Sequence, residues 1–156
     1  LHKEYRRQRQ MCIRDSKYNV TIGEPTAERL KIEIGAASLA LARTLPNATV
    51  RGRDLLTGLP KTIDVTAEDV ATSIQEPVQE IVAAIRETLE STQPELAADV
   101  IDHGMILTGG GALLRDIEKI IQDATKVPVL IANEQLDAVA IGTGEALKSI
   151  DVMRQK

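Results

Sequence analysis

The chain has 156 residues, which is long enough for one domain or for two small lobes with a substantial hydrophobic core. It contains no Phe or Trp and only two Tyr. Ile, Leu, Val and Ala must therefore form the core, and binding by aromatic stacking on bases or sugars is not expected. The net charge of −4 combines a basic segment, residues 1–17, with a strongly acidic remainder, so the body of the chain is not expected to bind nucleic acid.

The basic start of the chain differs from everything after it. It has no apolar run of the kind found in a secretory signal, and we interpret residues 1–16 as a non-native or disordered basic extension. The single cysteine, Cys12, lies here, which excludes an internal disulfide and suits a reducing compartment. No Cys or second His stands near His103 at metal-ligand spacing, so we assign no metal site and no catalytic residue. No apolar run approaches the ~20 residues of a transmembrane helix.

The next elements are a helix and a hairpin. Apolar residues at helical spacing predict a helix from about Thr26, which Gly35 weakens or ends. Residues 36–45 are compatible with either more helix or a poorly ordered connection. Alternating patterns in residues 49–56 and 61–65, separated by a Gly/Pro turn, predict a β-hairpin.

Helical patterns dominate the middle of the chain. Thr66, with Asp69 three residues later, predicts the start of a short helix that ends near Ile74. Pro77 then begins the strongest helical pattern in the chain, over residues 77–90. A further helix over residues 94–103 should end at Gly104, in a position suited to the left-handed αL conformation.

The last fifty residues read as strand, helix, strand, helix. The strands are predicted at residues 105–107 and 127–132, and the helices at residues 112–124 and 139–150. This order predicts an α/β fold with a parallel sheet and covering helices, and the hairpin with its flanking helices forms a separate small lobe.

Three adjacent glycines follow the first of these strands. The turn consists of Thr108, Gly109, Gly110, Gly111 and Ala112. Without Cβ atoms, a flat or anionic ligand can lie directly against main-chain N–H groups at the start of the following helix. The alternative is a tight turn whose glycines serve only packing.

At this point the sequence resembles a known family. The segment 105–114 resembles the adenosine-binding motif of the actin, sugar-kinase and chaperone ATPase superfamily. Four further blocks, at residues 22–35, 51–60, 94–99 and 139–144, closely resemble the MreB family of bacterial actin-like cell-shape proteins. The resemblance implies an actin-like ATPase lobe of the ribonuclease H-like type, with a parallel or mixed sheet and covering helices, and a small tip lobe of β-hairpin and helix.

The resemblance also implies how the chain is divided. Residues 17–35 would contain the nucleotide-facing helix of the large lobe, 36–76 the small tip lobe with its hairpin, and 77–137 the βαβ unit of the large lobe. Residues 138–156 would form a C-terminal helix that crosses to a missing first lobe. We therefore expect the chain to be the carboxyl half of a longer protein, with the phosphate loops in the part that precedes Lys17.

The same resemblance implies a nucleotide site. In the family, a helical Glu and a Lys three residues later reach the ribose and the adenine, and Glu28 and Lys31 match that pattern. Residues i and i+3 share a helix face, so a carboxylate can accept from both ribose hydroxyls while the ammonium lies beside the base. Without the resemblance, this pair would be interpreted as an ordinary solvated ion pair. The glycine turn, Thr108 to Ala112, would form the opposite wall.

The implied cofactor is ATP, with Mg²⁺ held mainly by the missing half. Phosphoryl transfer needs carboxylates near Mg²⁺ and a clamp on the phosphates. The one Asp-x-Gly sequence, residues 102–104, falls at a helix C-terminus, where the helix dipole repels phosphate, so we interpret it as a C-cap. The parent protein is therefore expected to hydrolyse ATP, and this chain alone is not.

The function implied is that of an ATP-binding, filament-forming bacterial actin homologue that maintains rod cell shape by organising cell-wall synthesis. Its partners would be further copies of itself, cell-wall elongation proteins and membrane-anchored morphogenesis proteins, without nucleic acid. It would be cytoplasmic, with filaments that contact the membrane through the missing N-terminal half. The alternatives are a fragment of a related sugar kinase or chaperone ATPase, an NAD-binding Rossmann domain, which the glycine spacing fits poorly, and an interaction module that holds no nucleotide.

Overall fold

The computed structural model describes residues 18–148. The predictions for residues 1–16, for Cys12 and for a last helix that continues to Ile150 lie partly or wholly outside this range. The strands are β1 (Val20–Thr21), β2 (Ala48–Asp54), β3 (Pro60–Val65), β4 (Met105–Leu107) and β5 (Val129–Ile131). The α-helices are α1 (Glu24–Ile34), α2 (Leu39–Ala42), α3 (Ala67–Ser91), α4 (Pro94–His103), α5 (Ile117–Thr125) and α6 (Ala138–Lys148), and a 3₁₀ helix spans Gly110–Leu113.

The predicted hairpin is confirmed as the centre of an antiparallel sheet with the order β1-β2-β3. Val50 faces Ile63 across the ladder, and both side chains are buried. At the hairpin turn, the Asp54 carboxylate accepts hydrogen bonds from the backbone N–H groups of Leu56 and Thr57 and from the Lys61 ammonium. These bonds, the backbone ones first, hold the pKa of Asp54 below its ordinary value. The carboxylate therefore fixes the turn in its charged form.

The predicted βαβ unit is also confirmed. Strands β4 and β5 pair in parallel, with Met105 opposite Val129, and α5 lies between them in sequence and packs on β5. Helix α4 ends at Gly104, whose φ is 81° and ψ is −178°. The φ is positive, as predicted, but the ψ lies outside the αL region. A side chain at Gly104 would also contact the carbonyl oxygen of Pro128, so close strand packing adds to the need for glycine.

Two hydrophobic clusters hold the described part of the chain together. The hairpin cluster joins α1 to the antiparallel sheet and to the start of α3. Its buried members are Val20, Ile22, Leu30, Ile34, Ala36, Ala42, Val50, Ile63, Val65, Ala67, Val70 and Ala71. The βαβ cluster joins the second half of α3 to α5 and β5, and its buried members are Ala37, Val78, Val82, Ile117, Ile121 and Val129.

Helix α3 corrects one prediction. The short helix to Ile74 and the helix from Pro77 are one continuous helix of 25 residues, with Pro77 inside it. Proline removes one backbone N–H donor and normally breaks a helix. Here the apolar face continues across it, from Val70 in the hairpin cluster to Val78 in the βαβ cluster. Burial on both sides of Pro77 offsets the lost hydrogen bond, and α3 connects the two clusters.

The segment after the three glycines corrects a second prediction, the start of the following helix. Helix α5 begins at Ile117, five residues later than the predicted start at Ala112, and the 3₁₀ helix occupies part of the interval. Asp116 has a φ of 63° and ends the irregular stretch, and its carboxylate binds the Lys119 ammonium at 2.7 Å. The ambiguous segment 36–45 contains the short helix α2 and places Ala36, Ala37 and Ala42 in the clusters. Small side chains there allow the close packing of α1, α2 and α3.

Tyr18 connects the start of the described chain to the cap of α3. Its hydroxyl donates to the Asp69 carboxylate at 2.7 Å, and Asp69 also accepts from the Thr66 hydroxyl in the predicted capping box. Burial, together with this hydrogen bond and the charge of Asp69, raises the pKa of Tyr18 to about 12. The protonated phenol is therefore the form that the fold stabilises.

This raised pKa predicts a loss of stability at high pH. An unfolded tyrosine ionises near its ordinary pKa of about 10, so the contribution of Tyr18 is fully present below about pH 10 and is lost as the pH rises towards 12. Tyr18→Phe should show a smaller fall in the free energy of unfolding across this range than the unmodified chain. A Tyr5→Phe variant leaves Tyr18 as the one phenol, so its tyrosinate absorption should titrate near pH 12. Titration of that variant at an ordinary tyrosine pKa would contradict the assignment.

Candidate functional site

Glu28 and Lys31 lie on one face of α1, as their spacing predicts. The Lys31 ammonium donates to the Glu28 carboxylate, and the shortest of these contacts is 2.7 Å. Both side chains keep substantial exposure, 57% for Glu28 and 38% for Lys31, whereas Leu30 and Ile34 on the other side of the helix are buried. Packing of the apolar face thus fixes the helix and places the charged pair at the surface.

The glycine turn begins directly after β4. Gly109 has a φ of 81°, which an L side chain rarely adopts, and its N–H donates to the Gln135 carbonyl oxygen at 2.6 Å. Gly111 has neither a positive φ nor any atom within 4 Å of the position where a Cβ would stand. Neither backbone conformation nor packing among residues 18–148 therefore requires a glycine at position 111. Because Gly111 has no side chain, its backbone forms an open surface.

Among residues 18–148, the turn also has main-chain donors without an acceptor. The N–H of Gly109 is used by Gln135, and the N–H of Ala112 donates to the Gly109 carbonyl oxygen. Within the described range, the N–H groups of Gly110 and Gly111 donate to no backbone or side-chain acceptor. The N–H groups of Gly109 and Ala112 thus already have acceptors in this structure, and the role of Thr108 to Ala112 as a donor wall stays a prediction.

The end of α1 is joined directly to Arg115, three residues beyond the glycine turn. Ala36 and Arg115 form a parallel β-bridge, and the Ala37 N–H donates to the Arg115 carbonyl oxygen at 2.8 Å. The Arg115 guanidinium donates in turn to the Gly35 carbonyl oxygen at 3.1 Å. We call this contact, formed by residues 35–37 and Arg115, the helix–turn joint. It lies one helical turn beyond Lys31 on one side and two residues after the end of the 3₁₀ helix on the other.

Other features of residues 18–148 do not add a second chemical site. No group of three or more His, Cys, Asp or Glu side chains is arranged to hold a metal ion there. Asp102 lies in the last turn of α4, and the neighbouring Gly104 N–H caps the Val100 carbonyl oxygen at 2.8 Å, which confirms the C-cap interpretation. A shallow depression of about 260 Å³ runs along α3 beside Arg86 and contains none of the predicted site residues. Over the same range, no helix is both long enough and apolar enough to cross a bilayer.

Residues 9–155 match the MreB/Mbl protein family. The chain belongs to the MreB/Mbl family. Curated relatives include the cell shape-determining protein MreB of Haemophilus influenzae, which is 47% identical over 135 residues, covering 86% of this chain and 38% of that protein. The cell shape-determining protein Mbl of Bacillus subtilis is 43% identical over 145 residues, covering 90% of this chain and 41% of that protein. The chain thus spans about two fifths of the length of these relatives.

Solved structures agree with this family assignment. MreB5 of Spiroplasma citri bound to ADP superposes with a TM-score of 0.87 at 33% identity, over 97% of this chain and 45% of that chain. The same protein bound to AMPPNP superposes with a TM-score of 0.84. A MamK double helical filament superposes with a TM-score of 0.64 at 19% identity, which shows a shared fold. The predicted actin-like α/β fold and the predicted family are therefore confirmed.

The helix–turn joint is the part of the site that sequence reasoning missed. Glu28, Lys31 and the glycine turn stay predictions as nucleotide-binding residues, whereas Arg115 was not predicted at all. The one available signal is Gly35, which from sequence predicts only that the helix is weakened or ends there. A Cβ at Gly35 would clash with the Lys31 carbonyl oxygen, so this glycine lets the chain turn closely against α1 towards Arg115.

Proposed function

We propose that this chain is the nucleoside-binding part of an ATP-binding, filament-forming cell-shape protein of the MreB/Mbl family. Glu28 would accept from the ribose hydroxyls, Lys31 would lie beside the adenine, and the glycine turn would form the opposite wall. Support comes from the MreB5 structures, which are bound to ADP and AMPPNP, and whose fold this chain shares over nearly all its length.

The observation that carries the proposal is the bare, donor-bearing surface at Gly110 and Gly111. Gly110 and Gly111 are both exposed, so their N–H groups are accessible to water or to a ligand. These two donors stand on a surface without side chains, so a flat ligand can approach within hydrogen-bond distance. The arrangement suits a nucleoside. The helix–turn joint connects α1 to the segment that follows the glycine turn.

The chain alone is proposed not to hydrolyse ATP. ATP hydrolysis needs carboxylates that hold Mg²⁺ at the phosphates and a positioned water. Asp102, in the Asp-x-Gly sequence, lies at the C-terminal end of α4, where the dipole disfavours phosphate. Phosphate turnover would belong to the whole protein, with Mg²⁺ held mainly outside this chain. Phosphate release from ATP by the purified chain well above the no-protein background would contradict this.

Assembly into filaments is the second part of the proposal. MamK, which shares the fold, forms a double helical filament. Helix α6 has no buried residue among positions 138–148, and Val139, Ile141 and Leu147 are exposed. An apolar helix without cover fits a helix that crosses to a first lobe beyond this chain. Within the whole protein, we propose that filaments in the cytoplasm contact the membrane and work with membrane-anchored cell-wall elongation proteins to maintain rod shape.

Adenosine binding should depend on the charged pair of α1. Adenosine itself is the right probe, because it carries no phosphate that would need the loops outside this chain. Glu28→Gln removes the charged acceptor for the ribose hydroxyls and should weaken adenosine binding about tenfold, as expected for one lost charge-assisted hydrogen bond. The measurement is an NMR titration of the 156-residue chain, which follows the amide signals of Gly110 and Gly111.

Glu145→Gln is the matched control for this experiment. Glu145 pairs with Lys148 at the same i,i+3 spacing on α6, at 2.6 Å, and is similarly exposed. The control variant should bind adenosine with unchanged affinity. If Glu28→Gln binds as well as the unmodified chain, or if no glycine-turn signal shifts with adenosine, the nucleoside site is in the wrong place.

A further inference from the structure

We infer that Arg115 is a positioning residue that sets the separation between the two walls of the proposed nucleoside site. The inference rests on the proposed function, because it concerns the same site. It depends on the helix–turn joint, which connects the helix that carries Glu28 and Lys31 to the turn that carries Gly110 and Gly111.

Arg115 holds this joint through both its backbone and its side chain. Its carbonyl oxygen accepts from the Ala37 N–H at 2.8 Å, and its guanidinium donates to the Gly35 carbonyl oxygen at 3.1 Å. Gly35 follows the last residue of α1, where carbonyl groups lack partners within the helix. A cation there also interacts favourably with the negative end of the helix dipole. Arg115 therefore caps the C-terminus of α1 and binds residues 35–37, although it belongs to the segment that follows the glycine turn.

The connections from the joint to both walls are short. On the helix side, the Gly35 N–H donates to the Lys31 carbonyl oxygen at 3.0 Å, so the joint and Lys31 share one hydrogen-bonded turn. On the glycine side, the Leu114 N–H donates to the Gly111 carbonyl oxygen at 3.2 Å, one residue before Arg115. A movement at the joint would thus change the distance between Lys31 and Gly111 directly.

Arg115 can change the affinity for a nucleoside by positioning the two walls. Arg115 does not need to touch the nucleoside to affect its affinity, since a small misplacement of one wall lengthens the hydrogen bonds of the other. The effect should be the same for adenosine and for ATP, because both present the same base and ribose to the two walls. A residue that acted on the phosphates would affect ATP alone.

The test is Arg115→Gln, which removes the charged donor to Gly35. Adenosine binding to the 156-residue chain, followed by NMR titration, should weaken about fivefold, as expected when one such hydrogen bond is lost. Exchange of the Ala37 amide hydrogen with solvent should become faster, because this N–H reports directly on the joint. Arg115→Lys keeps a cationic donor and should restore a large part of both properties.

Arg86→Gln is the matched control. Arg86, in α3, also donates from its guanidinium to a carbonyl oxygen near a helix C-terminus. The acceptor is Ala124 of α5, at 2.7 and 3.1 Å, so this contact lies outside the helix–turn joint. This variant loses the same kind of cap and should change neither Ala37 exchange nor adenosine affinity. It separates a positioning effect from a general loss of stability.

The outcomes distinguish this inference from the proposed function. If the unmodified chain shows no adenosine-dependent shifts, the proposed function fails and the positioning role fails with it. If the unmodified chain binds adenosine and Arg115→Gln binds it equally well, the inference alone is overturned. Unchanged Ala37 exchange in Arg115→Gln would also overturn it, because the guanidinium would then not hold the joint.

Discussion

Leu30→Ala is expected to lower the free energy of unfolding by about 3 kcal/mol, which is typical of a fully buried leucine that leaves a cavity. The Leu30 side chain has no solvent exposure and packs in the hairpin cluster. Chemical denaturation followed by circular dichroism gives the change directly. Because Leu30 packs the buried face of the helix that carries Glu28 and Lys31, the loss should also loosen the charged face of α1.

Ile32→Ala is the control for this substitution. Ile32 lies two residues away on the same helix, but it is 65% exposed, so little apolar area returns to water when it is shortened. Its effect should stay within about 0.5 kcal/mol. Equal effects of the two variants would mean that α1 does not pack through Leu30 and that the hairpin cluster is not the core of this part of the chain.

Local patterns predicted much of the fold. Alternation along β2 and β3 predicts the hairpin because a sheet with one buried face places every second side chain in the core, and Val50 and Ile63 occupy such positions. The parallel pair β4 and β5 follows from the order of strand and helix patterns. In both cases the residue pattern within each element predicts that element, without knowledge of contacts distant in the sequence.

The errors arise where distant contacts decide the local structure. Proline normally ends a helix, so the local rule favours a break at Pro77. Two separate clusters bury the faces of α3 on either side of it, and that burial is visible only in the folded chain. The predicted start of α5 is five residues too early for a similar reason. Arg115 pairs with Ala36, about eighty residues earlier in the sequence, and a residue in an extended bridge is not part of a helix.

The candidate site shows the same division. The types and spacing of Glu28 and Lys31 could be interpreted from sequence because i and i+3 share a helix face, and the pair forms in the structure. Which donors of the glycine turn lack an acceptor within residues 18–148 could not be predicted. That Gly109 binds the Gln135 carbonyl oxygen, and that Gly110 and Gly111 do not, depends on the path of a loop more than twenty residues away.

Gly52→Ala should destabilise the antiparallel sheet by about 3 kcal/mol, the upper part of the range for added volume in a tightly packed position. A Cβ at Gly52 would stand 2.6 Å from the Thr21 carbonyl oxygen and would overlap the Val20 side chain. Both obstacles belong to β1, which pairs with β2 at this point and is held by a buried Val20. The backbone oxygen cannot rotate away as a flexible side chain would, so β1 must separate from β2.

Gly111→Ala serves as the comparison, because it adds the same methyl group where no atom lies within 4 Å and where φ is not positive. It should change the free energy of unfolding by no more than about 0.5 kcal/mol, yet it should weaken adenosine binding by covering the bare surface. This outcome would distinguish the two glycines: Gly52 would be needed for packing, and Gly111 for the proposed approach of a ligand. If Gly111→Ala destabilised the chain as much as Gly52→Ala, packing would explain the glycine at position 111, and the argument for a nucleoside at this turn would lose its main support.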